Sequence, residues 1–310
     1  VNRKEFENKL FIINKSRGPT SFDVVKAFRS ATAVKKAGHA GTLDPLAEGV
    51  LIICTGHATK ATGYFMDLPK TYEFRVHLGI ATSTLDSEGE VTRSADCPDF
   101  SLNDIKDAAN SFVGSQEQEP PMFSALKQNG KRLYELAREG KKAEIVKRMI
   151  RIYAFDILDL SLPFVDFRLD CSRGTYVRAL ARDIGNKLGM PAHVAKLVRT
   201  RIGPFDIEAS FPDQLLFKEL VNDLKGKDLS DALEFMPAMV VTEKASMGLI
   251  KGLIPRRKDI IKTIGAITPG YFVRVLDKDG RLMAIAHADE KNSGLDGYKL
   301  FNSTGKGGGL

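Results

Sequence analysis

The chain has 310 residues, 43% of them hydrophobic and 27% charged, so it exceeds the roughly 100 to 200 residues of a usual domain and has a globular rather than a disordered composition. No run approaches the roughly 20 consecutive apolar residues of a membrane helix, and Val1 to Phe6 alternate charged and apolar positions instead of forming a signal peptide, so a cytoplasmic protein without membrane association is expected. The formal net charge of +7 predicts a polyanionic partner, while Cys54, Cys97 and Cys171 lack any short spacing, which excludes a disulfide framework and a cysteine zinc site.

In chain order, the apolar run Leu10 to Ile13 leads into a polar turn, Asn14-Lys15-Ser16-Arg17-Gly18-Pro19. A helix follows that Thr20 or Ser21 can cap, with Val24, Val25 and Phe28 as its apolar face. A glycine-punctuated loop, Gly38 to Pro45, carries Asp44 and precedes Gly49 to Cys54, which reads as a buried strand. From Tyr72 to Leu78 the residues alternate, Tyr72, Phe74, Val76 and Leu78 on one side and Glu73, Arg75 and His77 on the other, which predicts a half-buried strand. Ser101 with Asp104 opens a helix through about Phe112. After Pro120-Pro121, a further helix is predicted from about Lys131 to Gly140.

Between Lys127 and Arg151 nine basic residues stand against three acidic ones, a local excess of six out of a net +7. Such a run is often only a solvated helix face, but its concentration here also fits a phosphate-backbone footprint. Ile150 to Leu160 and Phe164 to Cys171 read as paired strands around Ser161-Leu162-Pro163. In the helix from near Gly174, Val177, Leu180, Ala181, Ile184 and Leu188 recur at helical spacing until Gly189. Arg178 and Arg182 lie one turn apart outside that set, on the flank. After about Pro212 come a helix-rich connector, Leu215 to Phe235, and a β-rich end where Tyr271 to Leu276 and Leu282 to His287 flank the hairpin signal Asp277-Lys278-Asp279-Gly280. The sum is an α+β fold with a large mixed or antiparallel sheet over residues 1–237, including the connector at 213–237, and a small β-rich unit over 238–310 with a flexible glycine tail.

Asp44 before Pro45 also fits a plain turn, so its surroundings matter. The run Gly38-His39-Ala40-Gly41-Thr42-Leu43-Asp44-Pro45-Leu46-Ala47-Glu48-Gly49-Val50-Leu51 closely resembles the catalytic motif of the TruB family of tRNA pseudouridine synthases, in which the aspartate is the catalytic group. Further blocks resemble that family in order: Lys70-Thr71-Tyr72; Pro120 to Lys127, on to Tyr134 and Ala137-Arg138; Arg173-Gly174-Thr175-Tyr176-Val177-Arg178; and Ala192-His193-Val194 to Leu197-Val198-Arg199-Thr200. The resemblance covers about residues 10 to 210, and the last 70 or so loosely resemble the small RNA-binding PUA module.

The resemblance implies a catalytic domain of pseudouridine synthase type followed by a PUA-like domain. It implies that a uridine of tRNA, position 55 in the TΨC stem-loop, is isomerised without redox change, cofactor or metal. The N1–C1′ bond breaks, the base turns, and C5 joins C1′. A carboxylate suits the first step, as nucleophile or as partner of positive charge on the sugar. By resemblance Asp44 is that group, Arg178 is its cationic partner, able to grip it bidentately, and Tyr72 stacks the flipped base and is the candidate for C5 proton removal. His39, Lys15, Tyr176, Leu197, Arg138 and Arg199 are implied to bind RNA or line the base pocket. No obligatory protein partner is implied, and a monomer is expected. Two rivals stand beside this reading: an RNA-binding module without catalysis, and a glycosidase or phosphoryl transferase acting on small substrates. The second leaves the basic segment unexplained and lacks a second catalytic carboxylate or Walker-type loop.

Overall fold

The computed structural model describes residues 2–124, 127–128, 131–132, 146–289 and 295–301. Their dominant element is an eleven-stranded mixed sheet. Its main path runs Phe211–Pro212, Lys9–Lys15, Glu48–Thr55, Ala192–Ile202, Lys70–Leu78, Phe164–Cys171, Arg148–Ser161, Gly114–Gln118. Most neighbours are antiparallel, but Glu48–Thr55 meets Ala192–Ile202 in parallel over two residue pairs, Val198 with Glu48 and Arg199 with Gly49. That short seam joins two mainly antiparallel halves, the other parallel pairing being that of Phe211–Pro212 with Ile13 and Asn14 at the sheet's edge.

Side-chain alternation explains how the sheet is covered. In Lys70–Leu78 the side chains of Tyr72, Phe74, Val76 and Leu78 enter the main core, while Arg75 is exposed and Glu73 and His77 are half-buried. Gly49 to Cys54 looks continuously apolar because both faces are buried. Leu51 and Ile53 pack into the main core, and Val50, Ile52 and Cys54 into a second cluster on the opposite face. Phe11 and Ile13 divide from Leu10 and Ile12 in the same way. Burial pushes the Cys54 and Cys171 thiols up to about 12, so both behave as small apolar side chains.

The helix Ser21–Thr32 is capped by Thr20 in a reciprocal box with Asp23, and Leu102–Asn110 by Ser101 with Asp104. Ser21, the alternative cap, is turned inward instead and holds the Asp44 loop. A five-stranded sheet spans Ala238–Val241, Ile260–Ile264, Phe272–Leu276, Leu282–Ala288 and Leu295–Leu300. It closes the second cluster through Ile285, with Phe301 just beyond its last strand, and the ring of Phe272 packs edge-on against Tyr64 at 4.7 Å. The predicted hairpin turn is present, with Asp277 Oδ1 accepting from the amides of Asp279 and Arg281 at 3.0 and 2.9 Å.

Two expectations are corrected. Lys131–Arg132 is not the start of a helix; it pairs antiparallel with Lys127–Gln128. The intervening Asn129-Gly130 is a hairpin signal that the helical reading overlooked, and the rest of the expected helix, 133–140, lies outside the described residues. The connector after Pro212 contains only two short helices, Asp213–Phe217 and Leu229–Ala232, because Glu219 takes a left-handed φ of 56° just beyond the first. The chain on either side of its first helix is knitted into the large sheet: Phe211–Pro212, just before the connector, pairs with Ile13 and Asn14, and Lys227–Asp228 within it with Leu10 and Lys9.

Gly49 makes the seam possible. Its φ is +101°, and a Cβ there would lie 2.3 Å from the Arg199 carbonyl oxygen. Gly49→Ala is therefore expected to lower stability by about 2–4 kcal/mol, measured as a fall in the urea midpoint at unchanged slope. A loss below about 0.5 kcal/mol would place the close approach elsewhere.

Candidate active site

The loop that carries Asp44 leaves the short strand Ala37–His39, which pairs with Ile53 to Thr55, and returns into Glu48–Thr55. A loop of this length is rigid only if its backbone groups find partners, and three buried side chains supply them. Ser21 Oγ donates to the Leu43 carbonyl at 3.1 Å and accepts from the Leu43 amide at 2.8 Å. Lys15 Nζ donates to the carbonyls of Ser16, Pro45 and Ala47 at 3.0, 3.2 and 2.6 Å. Arg199 donates through Nε to Val50 at 2.8 Å, through Nη1 to Thr42 at 3.3 Å and through Nη2 to Gly41 at 3.1 Å. With Leu43 and Leu46 buried on either side, Asp44 is presented outward, its side chain 36% exposed.

Arg178 meets it from the first turn of the helix Val177–Lys187. The start of that helix is fixed by Gln118, which accepts from the Tyr176 amide at 2.8 Å and donates to the Tyr176 carbonyl at 3.0 Å. Arg178 is 4% exposed and makes a three-way junction. Nε donates to Asp44 Oδ2 at 2.8 Å, Nη1 to the Thr84 carbonyl at 2.7 Å and Nη2 to the Phe123 carbonyl at 2.8 Å. The expected bidentate grip is thus a single bond, because the rest of the fork is occupied by the two carbonyls.

Nη1 also lies 3.5 Å from Oδ2 of Asp86, a residue the sequence reading missed. Asp86 is 4% exposed, and its Oδ1 accepts from the Glu88 amide at 3.1 Å and from Thr84 Oγ1. In Thr84-Leu85-Asp86-Ser87 it looks like any turn aspartate, and only the approach of Arg178 distinguishes it.

The floor between these groups is apolar: Leu43, Tyr72, Val177 and Leu197 belong to one buried cluster. Burial pushes the Tyr72 hydroxyl above the ordinary phenol range, with the Arg199 guanidinium opposing. Tyr176 is likewise raised, by burial first, with Asp44 adding to the shift. The His39 imidazole is pushed down by burial and by Arg199, and its Nδ1 is buried with no hydrogen-bond partner. A neutral ring with an open nitrogen suits a base or a ribose better than a phosphate.

Lys15 and Arg199, expected to bind RNA or line the base pocket, are both buried, at 0% and 2% exposure, with their N–H groups on loop carbonyls. Burial lowers Lys15 to about 8, opposed by Asp213, Asp44, Glu48 and Glu88. Arg138 lies outside the described residues, as does most of the basic segment; Lys147, Arg148 and Arg151 are exposed. Among the described residues, no group of three His, Cys, Asp or Glu side chains is placed to hold a metal, and no helix is long and apolar enough to cross a membrane.

Residues 29–177 match the model described as TruB family pseudouridylate synthase, N-terminal domain, and residues 178–234 match that of the tRNA pseudouridylate synthase B C-terminal domain. The class is therefore that of the pseudouridine synthases, isomerases that convert uridine to pseudouridine. The boundary between the two models separates Asp44 from Arg178, so the pair forms only when both regions fold together. The tRNA pseudouridine synthase B of Geobacter sulfurreducens is 40% identical over 303 residues, covering 94% of this chain and 98% of that one. The Thermotoga maritima protein of the same name is 36% identical over 289 residues, covering 93% and 92%. Among solved structures, a chain of a Cbf5-Nop10-Gar1 complex superposes with a TM-score of 0.74 at 25% identity, covering 96% of this chain and 86% of that one. The chain belongs to the TruB family of pseudouridine synthases.

Replacing Arg178 with lysine keeps a charge but no planar fork, so it cannot hold Asp44, Thr84 and Phe123 at once. Arg178→Lys is expected to reduce kcat about 100-fold while leaving the RNA dissociation constant within about threefold. Stopped assays and filter binding separate the two. A loss confined to affinity would move Arg178 from the carboxylate to the RNA.

Proposed function

We propose that this enzyme isomerises uridine 55 in the TΨC arm of tRNA, with Asp44 acting at C1′ of the flipped nucleotide. The observation that carries this reading is the 2.8 Å bond between Arg178 and Asp44 at an apolar recess. A carboxylate in that setting faces a sugar as the carboxylates of glycoside-cleaving enzymes do. As the N1–C1′ bond breaks, the Asp44 oxygen either bonds to C1′ or balances its positive charge, and the bonding electrons stay on the departing base. After the base turns, C5 bonds to C1′, the C5 proton leaves, and N1 carries a proton in the product.

Tyr72 supplies a ring for the base to stack on and, in its hydroxyl, the candidate group for removing the C5 proton. Because burial keeps the phenol protonated near neutral pH, proton removal by its oxygen needs the phenolate, a minor form of high basicity. His39, Tyr176 and Leu197 surround the displaced nucleotide. Residues 238–310 act as a PUA-like RNA-binding domain, and residues 1–237 as the catalytic domain. The enzyme works as a cytoplasmic monomer without cofactor, metal or obligatory protein partner; Nop10 and Gar1 belong to the assembly of its structural neighbour.

The direct test uses an unmodified tRNA transcript tritiated at uridine C5. Asp44→Asn is expected to slow tritium release by more than about a thousandfold with a dissociation constant within about threefold of native. Release equal to native would mean that the chemistry does not run through Asp44, and no release from either chain would favour an RNA-binding module without catalysis. Position 55 is checked by replacing that uridine alone with cytidine, which should eliminate the product.

The basic segment from Lys127 to Arg151 is read as a phosphate footprint. Glutamine at Lys141, Lys142, Lys147 and Arg148 is expected to reduce the slope of log affinity against log salt by about 3, at about 0.7 to 0.9 for each phosphate no longer neutralised. An unchanged slope would remove this surface from the RNA interface.

A further inference from the structure

Asp213 opens the short helix Asp213–Phe217, immediately after the residue that pairs with Asn14. It is wholly buried. Its Oδ2 accepts from the Ser16 amide at 2.9 Å and from Ser16 Oγ at 3.1 Å, while Oδ1 is enclosed with no hydrogen-bond partner. A carboxylate removed from water this completely is costly unless a cation shares its surroundings. The cation is Lys15, the neighbour of Ser16 in the chain. Only an ammonium has the three donors needed to reach the carbonyls of Ser16, Pro45 and Ala47 together. A neutral amine would turn a lone pair toward one of them.

We propose that Asp213 is a positioning residue for the uridine isomerisation: through Ser16 and the Lys15 ammonium it holds the Pro45 and Ala47 carbonyls, and thereby the orientation of Asp44. It reaches the site from beyond residue 210, outside every motif that marked the active site. The kinetic part rests on Asp44 carrying the chemistry; the effect on the loop does not. The depressed Lys15, at about 8, gives the arrangement a signature that a purely structural carboxylate would lack. Asp213, Asp44, Glu48 and Glu88 are the charges that favour its protonated form; removing the first leaves burial less opposed.

The test compares full-length native enzyme with Asp213→Asn, which keeps the shape and an acceptor oxygen for Ser16 but removes the charge. Tritium release from saturating transcript is followed from about pH 6 to about pH 9. In the variant the alkaline fall in kcat should move down by about one pH unit, leaving kcat about fivefold below native near pH 8, about tenfold below near pH 9 and within about twofold near pH 6, at unchanged KM. In the free enzyme, amide hydrogen exchange across residues 40–50 should be faster than native at the same alkaline pH. Ser16→Ala, a milder change that keeps the charge, should speed that exchange without moving the pH profile.

Profiles that superimpose after scaling, or a loss in KM alone, overturn the kinetic role. Native exchange rates across 40–50 in both variants overturn the proposal altogether. If Asp44→Asn turned over like the native enzyme, the Asp44 reading would fail, and exchange would still decide whether Asp213 holds the loop.

Discussion

The close approach of Gly49 to Arg199 is the constraint on which the site depends. Two mainly antiparallel half-sheets meet there over two residue pairs, and the missing Cβ of Gly49 lets the two backbones touch. On the same residue, the Arg199 side chain turns back to the carbonyls of Gly41, Thr42 and Val50. One residue thus closes the sheet with its backbone and orders the Asp44 loop with its side chain. Pairing of Arg199 with Tyr72 across the other neighbouring strand brings the aromatic ring to the same place. The seam therefore fixes the loop, the ring and the recess between them in a single step of assembly.

The electrostatic plan follows from what each buried cation is bound to. Lys15 and Arg199 are satisfied by backbone carbonyls, which stabilise a cation without neutralising it, so both leave positive potential behind the loop without taking the Asp44 carboxylate. Among the described residues Arg178 alone bonds to that carboxylate, through one nitrogen, and is itself steadied by Thr84, Phe123 and Asp86. A guanidinium anchored on several sides cannot follow a carboxylate that drifts. This is preorganisation: the groups hold their orientation before any substrate arrives. It also accounts for the neutral His39, which lies beside Arg199 and is kept unprotonated by it and by burial.

Much of this was legible in the sequence wherever a feature has a local period or a local partner. The alternation of Tyr72, Phe74, Val76 and Leu78 and the capping boxes at Thr20 and Ser101 are decided within a few residues, and the structure contains them. Arg178 was legible as polar but not as buried, since helical spacing places it off the apolar stripe and its enclosure comes from carbonyls at 84 and 123. The role of Lys15 and Arg199 in holding loop carbonyls was not legible, because a backbone carbonyl leaves no trace in the sequence of the side chain that will bind it. Asp86 sat in an ordinary turn. The connector after Pro212 was misread since its pairings with Lys9, Leu10, Ile13 and Asn14 last two residues each, too few for any period to appear.

The groups at the site come from positions 15, 44, 72, 86, 178 and 199, and no short segment contains more than one of the pairs that matter. Contacts of such separation form only after long loops have closed, and closing them is the slow, entropically opposed part of folding. A chain that has formed only its hairpins, such as Arg148–Ser161 with Phe164–Cys171, has no Arg178–Asp44 pair and no ordered loop. Completion of the large sheet is therefore what creates the site. The segment after residue 210 contributes to that completion by lying along the edge strand Lys9–Lys15, whose last residue holds the loop. Order at the carboxylate is in this way a property of the whole sheet and not of the motif that contains it.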